Sequence, residues 1–403
     1  MPDSKSGTHS QVVDPTGGAN QARVRVYNER LVLSLVRWHG ELSKADIARR
    51  SGLSAQTVTV IMRQLEADGL LLKGQPIRGK VGQPSTPMRL NPEGAFAIGL
   101  KVDRRSSEMY LMDFTGTIRH SLGCTYAYPT PEAVVDFVRS TLPAMVAELP
   151  VRKQGRLAGL GIAIPFNMEN WEKQLGAKPG SMAAWKGLDL AAQLEPIVRM
   201  PVFPQNDCTA ACGAELLFGR GSNHANYAYV HAGYFIGGGV VLENTLWPGT
   251  TGNAGGFATV RITEAGKSVS LLDCASLHLL EDAIVADGMD PQPLWQDGGD
   301  WLAFGSHLDT WLERAARGIA EAMVSICSVI DFDAVMIDGP FPDHVRSRLV
   351  AAVTAALTTQ DLSGISPFVV EEGSLGNEAQ ALGSASLPLM GRFLIDSGVL
   401  FRQ

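Results

Sequence analysis

The stretch ELSKADIARRSGLSAQTVTVIMRQLEADGLLLKGQPIRGKVGQPSTPMRL, running from Glu41 to Leu90, decides how the rest of the chain is read. Ser43 followed three residues later by Asp46 is a hydroxyl cap answered from the first turn, and it starts a short helix through Ile47, Ala48 and Arg50. Gly52 ends that helix where a tight turn needs a positive φ. Ser54 caps a second helix, with Val58, Ile61 or Met62, and Leu65 facing inward at close to a 3.6-residue period. Ala48, Gly52 and Val58 thus supply a small residue for helix contact, a turn glycine and a buried aliphatic. Ala55, Gln56, Thr57, Thr59 and Arg63 remain outward. After Gly69, Leu70-Leu71-Leu72 and Met88-Arg89-Leu90 read as two short strands joined by a loop holding Arg78, Lys80, Gly82, Gln83 and Pro84.

Two helices, a turn between them and a basic hairpin make a winged helix-turn-helix. Ser54, Gln56, Thr57, Thr59 and Arg63 on the second helix are then expected to reach bases and phosphates. Arg78, Lys80 and Gln83 on the wing are expected to lie along a minor groove. The same spacing also fits a small helical domain with a surface hairpin that binds protein. Charge favours double-stranded DNA. Residues 21–90 hold twelve Lys/Arg and five Asp/Glu, a net of +7, and residues 1–20 contribute −1. The whole chain is −7, which leaves −13 for residues 91–403. A basic head on an acidic body suits a phosphate-binding module joined to a small-molecule domain.

The 403 residues suffice for two or three domains, and 45% hydrophobic with 19% charged residues is globular composition. No apolar run approaches the roughly 20 residues that span a bilayer, and the N-terminus lacks an apolar signal core. Five scattered cysteines without a CxxC pair are expected to be reduced thiols, so a cytoplasmic protein is expected. Residues 1–20 have little to bury and are expected to form a disordered tail. Arg23–Trp38 is expected to be a supporting helix, with Leu31, Leu35 and Trp38 on one face. Asn91-Pro92-Glu93-Gly94 is a turn-forming joint, which puts a head at 21–90 and a body at 91–403.

In the body, strands and helices alternate. Strands are expected at Ala95–Val102, Glu108–Phe114, Leu157–Pro165, from Val202, at Tyr227–His231, Gly237–Leu242 and Ala334–Ile337. Helices are expected at Pro131–Glu148, Leu188–Val198, Cys208–Leu217, Ser270–Ala286, Asp309–Ile330, His344–Leu357 and Glu378–Leu389. That is an α/β body with mixed sheets. The expected division is one lobe of about 91–205 plus the C-terminal segment 378–403, and a second of about 206–377, with a ligand cleft between them.

Four segments carry a resemblance: LGIAIP (160–165), QNDCTAACGAE (205–215), GGGVVLENTLWPGTTGNAGG (237–256) and LGNEAQALGSASLPL (375–389). With the winged head they resemble the ROK family of sugar kinases and sugar-responsive repressors. The resemblance implies a two-lobed, actin-like and hexokinase-like (ribonuclease H-like) body, and the head implies the repressor branch. It maps the family's sugar-binding Asn and catalytic Asp onto Asn206 and Asp207, although Asp207 at the start of a helix also suits a cap. Val102-Asp103-Arg104-Arg105-Ser106-Ser107 stands where the family has a glycine-containing phosphate loop, so lost kinase activity and no catalytic residue are expected. Gly256 stands for the family's sugar-binding Glu, Thr259 for its zinc-ligating His, and Asp273 for the Glu after its cysteines. With only Cys274 nearby and His278 expected on a helix surface, no zinc is expected. Phe166 replaces the glycine after Pro165, beside Asn167. Phe166 and Trp185 are expected to offer apolar faces to a sugar, or to pack between the lobes.

The expected protein is therefore a repressor that binds operator DNA as a homodimer or tetramer, answers a sugar or sugar derivative, and needs no cofactor and no membrane. A regulator that is still a sugar kinase, and a DNA-binding protein without a ligand, are the alternatives.

Overall fold

The computed structural model describes residues 21–76, 86–172, 175–296 and 298–395. The head opens with α1 (Gln21–His39), α2 (Lys44–Ser51) and α3 (Ala55–Ala67), followed by an antiparallel pair, β1 (Leu71–Lys73) and β2 (Met88–Leu90). Its caps form as the residues predict. Ser43 Oγ accepts from Asp46 N at 3.2 Å and donates to Asp46 Oδ2 at 2.6 Å. Gly52 takes φ 70°, and Ser54 Oγ accepts from Thr57 N. Leu42 adds a bridge to Met88, and Val32, Val36, Ile47, Val58, Met62 and Leu71 close the core beneath. Arg78, Lys80, Gly82, Gln83 and Pro84 lie outside the described residues.

The Asn91–Gly94 joint is a turn, with Asn91 Nδ2 donating to the Gly69 carbonyl at 2.6 Å. It does not separate two cores. The head's apolar cluster continues through Ala95, Ala97, Met112 and Phe114 to Leu382, Ala385 and Leu389. Arg37 of α1 donates to the Phe114 carbonyl, and its guanidinium lies 5.5 Å from the Phe114 ring centroid and 5.6 Å from that of Phe218. Burial pushes Arg37 down to about 10, still charged at neutral pH.

The first body sheet comprises β3 (Phe96–Val102), β4 (Ser106–Asp113), β5 (Ile118–Thr125), β6 (Leu157–Ile164) and β7 (Val202–Asn206) in the order β5-β4-β3-β6-β7. Helices α4 (Pro131–Ala147), α5 (Val151–Gln154) and α6 (Leu190–Val198) fall between these strands, and α7 (Asp207–Phe218) follows directly. The second sheet comprises β8 (Tyr227–Ala232), β9 (Ile236–Leu242), β10 (Thr245–Leu246), β13 (Ala334–Asp338) and β14 (Val369–Glu372) in the order β10-β9-β8-β13-β14. Between β10 and β13 lie a hairpin, β11 (Arg261–Glu264) and β12 (Lys267–Ser270), and helices α8 (Leu272–Ala275), α9 (His278–Ala286) and α10 (Gly305–Cys327). Helix α11 (Asp343–Leu357) joins β13 to β14, and α12 (Ala379–Phe393) ends the described fold. Both sheets follow one plan: an antiparallel meander whose first strand pairs in parallel with a fourth strand, which pairs in parallel with a fifth. This repeated plan is the actin-like, hexokinase-like architecture.

Several elements depart from the sequence reading. The expected helix Ser270–Ala286 is two helices, because Ser276 is extended (ψ 146°). Its Oγ accepts from Ile236 N and donates to the Leu272 carbonyl, while its own carbonyl accepts from Trp311 Nε1. Strand β5 alternates half-buried and exposed residues along a sheet edge, so it lacks the continuous apolar run that marks β3 and β6.

Helix α12, rich in Ala, Ser and Gly, lies flat on β3 and β6. A Cβ on Gly161 would collide with the Ser384 carbonyl oxygen, and one on Gly99 with the Ala385 backbone. Gly161→Ala is therefore expected to destabilise the protein by about 1–3 kcal/mol, the usual scale of overpacking. Urea unfolding followed by far-UV circular dichroism checks this, with Ala163→Ser as a nearby control.

Candidate functional site

The ends of the central strands of both sheets open onto one cleft of about 870 Å³. Strand β3 leads into the turn Asp103–Arg105, β6 into Pro165-Phe166-Asn167, β7 into Asn206-Asp207, and β8 into Gly233–Phe235. Gly255, Gly256 and Thr259 also line the cleft.

Asn206, rather than Asp207, caps α7: its Oδ1 accepts from the backbone of Cys208 and of Thr209, both at 3.1 Å. Capping by the residue before leaves the Asp207 carboxylate directed at the cleft. There Oδ1 accepts from Asn206 Nδ2 at 3.1 Å and Oδ2 from Gln380 Nε2 at 2.8 Å. Burial, reinforced by the nearby Asp103 carboxylate, pushes Asp207 up from 3.8 to about 6. His231, at the end of β8, lines the same wall and is 3% exposed; burial and the Lys101 ammonium lower it to about 4, so it is neutral at pH 7. Neither His231 nor Gln380 has a sequence signal of its own. Only the meeting of β8 and α12 with α7 brings them to the cleft that Asp207 lines.

Phe166 and Asn167 line the cleft, and Asn167 takes a left-handed φ of 54°. Gly256 and Thr259 line it too, with Thr259 Oγ1 donating to the Gly256 carbonyl at 2.9 Å. Trp185 does not. It is 8% exposed in the core beneath α4 and α6, and its Nε1 donates to the Pro129 carbonyl, so the expected sugar-facing role is corrected to packing. Asp273 also stands apart, accepting from Ser270 Oγ at 2.6 Å at the start of α8. His278 is not a plain surface residue, since its ring packs against Tyr234 and Phe235. Cys274 is buried and its thiol donates to the Arg314 carbonyl.

The Asp103–Arg105 turn carries a cation that is held across the cleft. Arg104 projects from the first sheet into a slot on the second, its guanidinium 4.0 Å from the Tyr234 ring centroid and 4.2 Å from that of Trp295. Glu281 lies 3.3 Å away and also accepts from Trp295 Nε1 at 3.1 Å. Trp171 of the first half packs edge-on against Phe235 of the second, with centroids 4.8 Å apart. The two halves are thus clasped at this side of the cleft. Arg105, which also lines the cleft, donates to the Ala127 carbonyl.

On the head, Gln56 and Arg63 are exposed, and Thr59 is half-buried. Ser54 is engaged as the cap, and Thr57 Oγ1 lies 2.8 Å from its hydroxyl. Val60, absent from the expected contact set, is 62% exposed on the same face.

Comparison with known proteins accords with both parts. Residues 97–271 match the profile described as ROK family, and residues 27–71 that of a winged helix-turn-helix DNA-binding domain. The chain is 25% identical over 373 residues to the uncharacterized protein y4fQ of Sinorhizobium fredii, covering 91% of each. It is 24% identical over 269 residues to the xylose repressor of Bacillus subtilis, covering 66% of this chain and 69% of that protein. Among solved structures, a ROK family transcriptional regulator described as a homolog of the E. coli MLC protein superposes with a TM-score of 0.66 at 18% identity, covering 94% of this chain and 98% of that one. The chain thus carries a ROK family domain behind a winged helix-turn-helix.

Proposed function

We propose that the chain is a sugar-responsive transcriptional repressor, which binds operator DNA through its head and a sugar or sugar derivative through its cleft, and which is not a kinase. The observation that carries this reading is the Arg104 clasp. Cation–π contacts are worth about 0.5–2 kcal/mol each, and here two of them join an ion pair at the turn that the resemblance aligns with the family's phosphate loop. Asp207 keeps its place at the cleft, so the site can still bind a polyol. The homodimer or tetramer that a palindromic operator calls for, and a cytoplasmic location, are part of the same proposal. No helix among the described residues is long and apolar enough to cross a membrane.

The route from ligand to head runs along α12. A sugar hydroxyl donating to Asp207 competes with Gln380, at the start of that helix. At its far end Phe393 meets Phe114 edge-on at 5.1 Å, and Ile395 N donates to Ser34 Oγ of α1 at 2.9 Å. A ligand that favours a shifted α12 thereby favours a different head position, which is all that a population shift requires.

Two outcomes test the site. Asp207→Asn is expected to weaken the best-binding sugar by about 1.5–3 kcal/mol, the scale of a charge-assisted hydrogen bond, while leaving operator affinity without sugar unchanged. Titration calorimetry against a sugar panel and gel-shift assays check both. Wild type with ATP, magnesium and that sugar is expected to make no sugar-dependent ADP, and ADP production lost in Asp207→Asn would identify a kinase instead.

The raised pKa of Asp207 gives a pH signature. Between pH 3.8 and about 6 the native carboxyl holds a proton that the unfolded chain has released, so this group's contribution to stability falls as pH rises through that window. Asp207→Asn lacks this term. Its stability relative to wild type, measured by urea unfolding, is expected to climb from pH 4 to 6 and then level.

A further inference from the structure

Helix α3 buries Val58, Ile61, Met62 and Leu65 against the rest of the head. At 100° per residue the opposite face is centred on positions 56, 60 and 63, an i, i+4, i+7 series. Gln56 and Arg63 suit that face, but Val60 between them does not: it is 62% exposed and apolar. A β-branched residue there brings no helix propensity, and burial within the chain does not explain it. Valine has no polar atom for a phosphate or for a base-edge hydrogen bond. The apolar feature that the major groove offers is the 5-methyl group of thymine.

We propose that Val60 is a specificity-determining residue that reads a thymine methyl in each operator half-site, between the bases or phosphates met by Gln56 and Arg63. The occupant of this face is duplex DNA rather than a protein, because Val60 lies between a long amide and a guanidinium on a head of net charge +7. The inference rests on the DNA-binding reading of the head given above and adds the base and the atom group that are read. The sequence pattern alone assigns Val60 to neither the inward stripe nor the outward face, because it is apolar yet off the period of Val58, Ile61 or Met62 and Leu65.

Deoxyuridine differs from thymidine only by the missing methyl, so it removes this contact and leaves the base pair intact. Full-length protein selects its site from a random duplex library. The thymines of the selected site are then replaced one at a time, in both half-sites, by deoxyuridine. Wild type is expected to show one position where the replacement weakens binding about fourfold per half-site, the loss of one buried methyl group. Val60→Ala is expected to bind the thymine duplex more weakly by a similar factor and to be indifferent to deoxyuridine at that position. Its melting temperature and the slope of affinity against salt should be those of wild type, since no packing or phosphate contact is lost. A selected site at which no deoxyuridine matters, or a Val60→Ala variant that keeps the full deoxyuridine penalty, overturns the role of Val60 while the DNA-binding reading stands. Failure to enrich any sequence overturns both.

Discussion

The contact on which the other parts depend is backbone against backbone: α12 lying on β3 and β6 where Gly99 and Gly161 remove every side-chain atom from between them. Helices usually ride a layer of side chains above a sheet. Here the Ser384 carbonyl reaches the strand itself, and Pro388, which cannot donate to it, packs beside the same glycine. A helix seated this closely has few alternative positions, because packed contacts deform little before they jump. Its two ends are fixed accordingly, Gln380 on Asp207 and Phe393 on Phe114. The cleft and the head are thereby held in register through one rigid element.

The clasp at Arg104 is a second constraint of a different kind. A guanidinium almost withdrawn from water is costly unless its charge is answered, and three groups answer it: two aromatic faces and the Glu281 carboxylate. All three lie across the cleft from Arg104, so opening the halves on this side would expose the charge and separate the pair together.

Much of the head was legible in the sequence because its signals are local. Ser43, Asp46, Gly52 and Ser54 act within a turn of where they stand, and the caps form as expected. The Asn206-Asp207 pair was legible through family resemblance, but the division of labour inside it was not. Which of two adjacent polar residues caps a helix depends on how the preceding strand enters it. Trp185 and Ser276 were misread for a shared reason: their partners, the Pro129 carbonyl and Trp311, are distant in the chain, and the hydrogen bonds they make override local pattern. The edge strand β5 escaped because an edge that faces water needs no apolar run. The slot for Arg104 is assembled from three separate segments, and no spacing within the Asp103–Ser107 turn announces it.

The apolar cluster that runs without a break from Val32 and Ile47 to Leu382 and Leu389 bears on how such a chain can be dismantled or rebuilt. A DNA-binding domain on a flexible tether is modular: it melts alone, tolerates cutting, and can be exchanged by splicing at the linker. This one shares its interior with the body, so excision at Asn91 would leave Ala95, Phe114 and Leu389 facing water on one side and α1 stripped on the other. Recombination between relatives would then succeed only where α1 and the end of α12 travel together, although 361 residues separate Ser34 from Ile395.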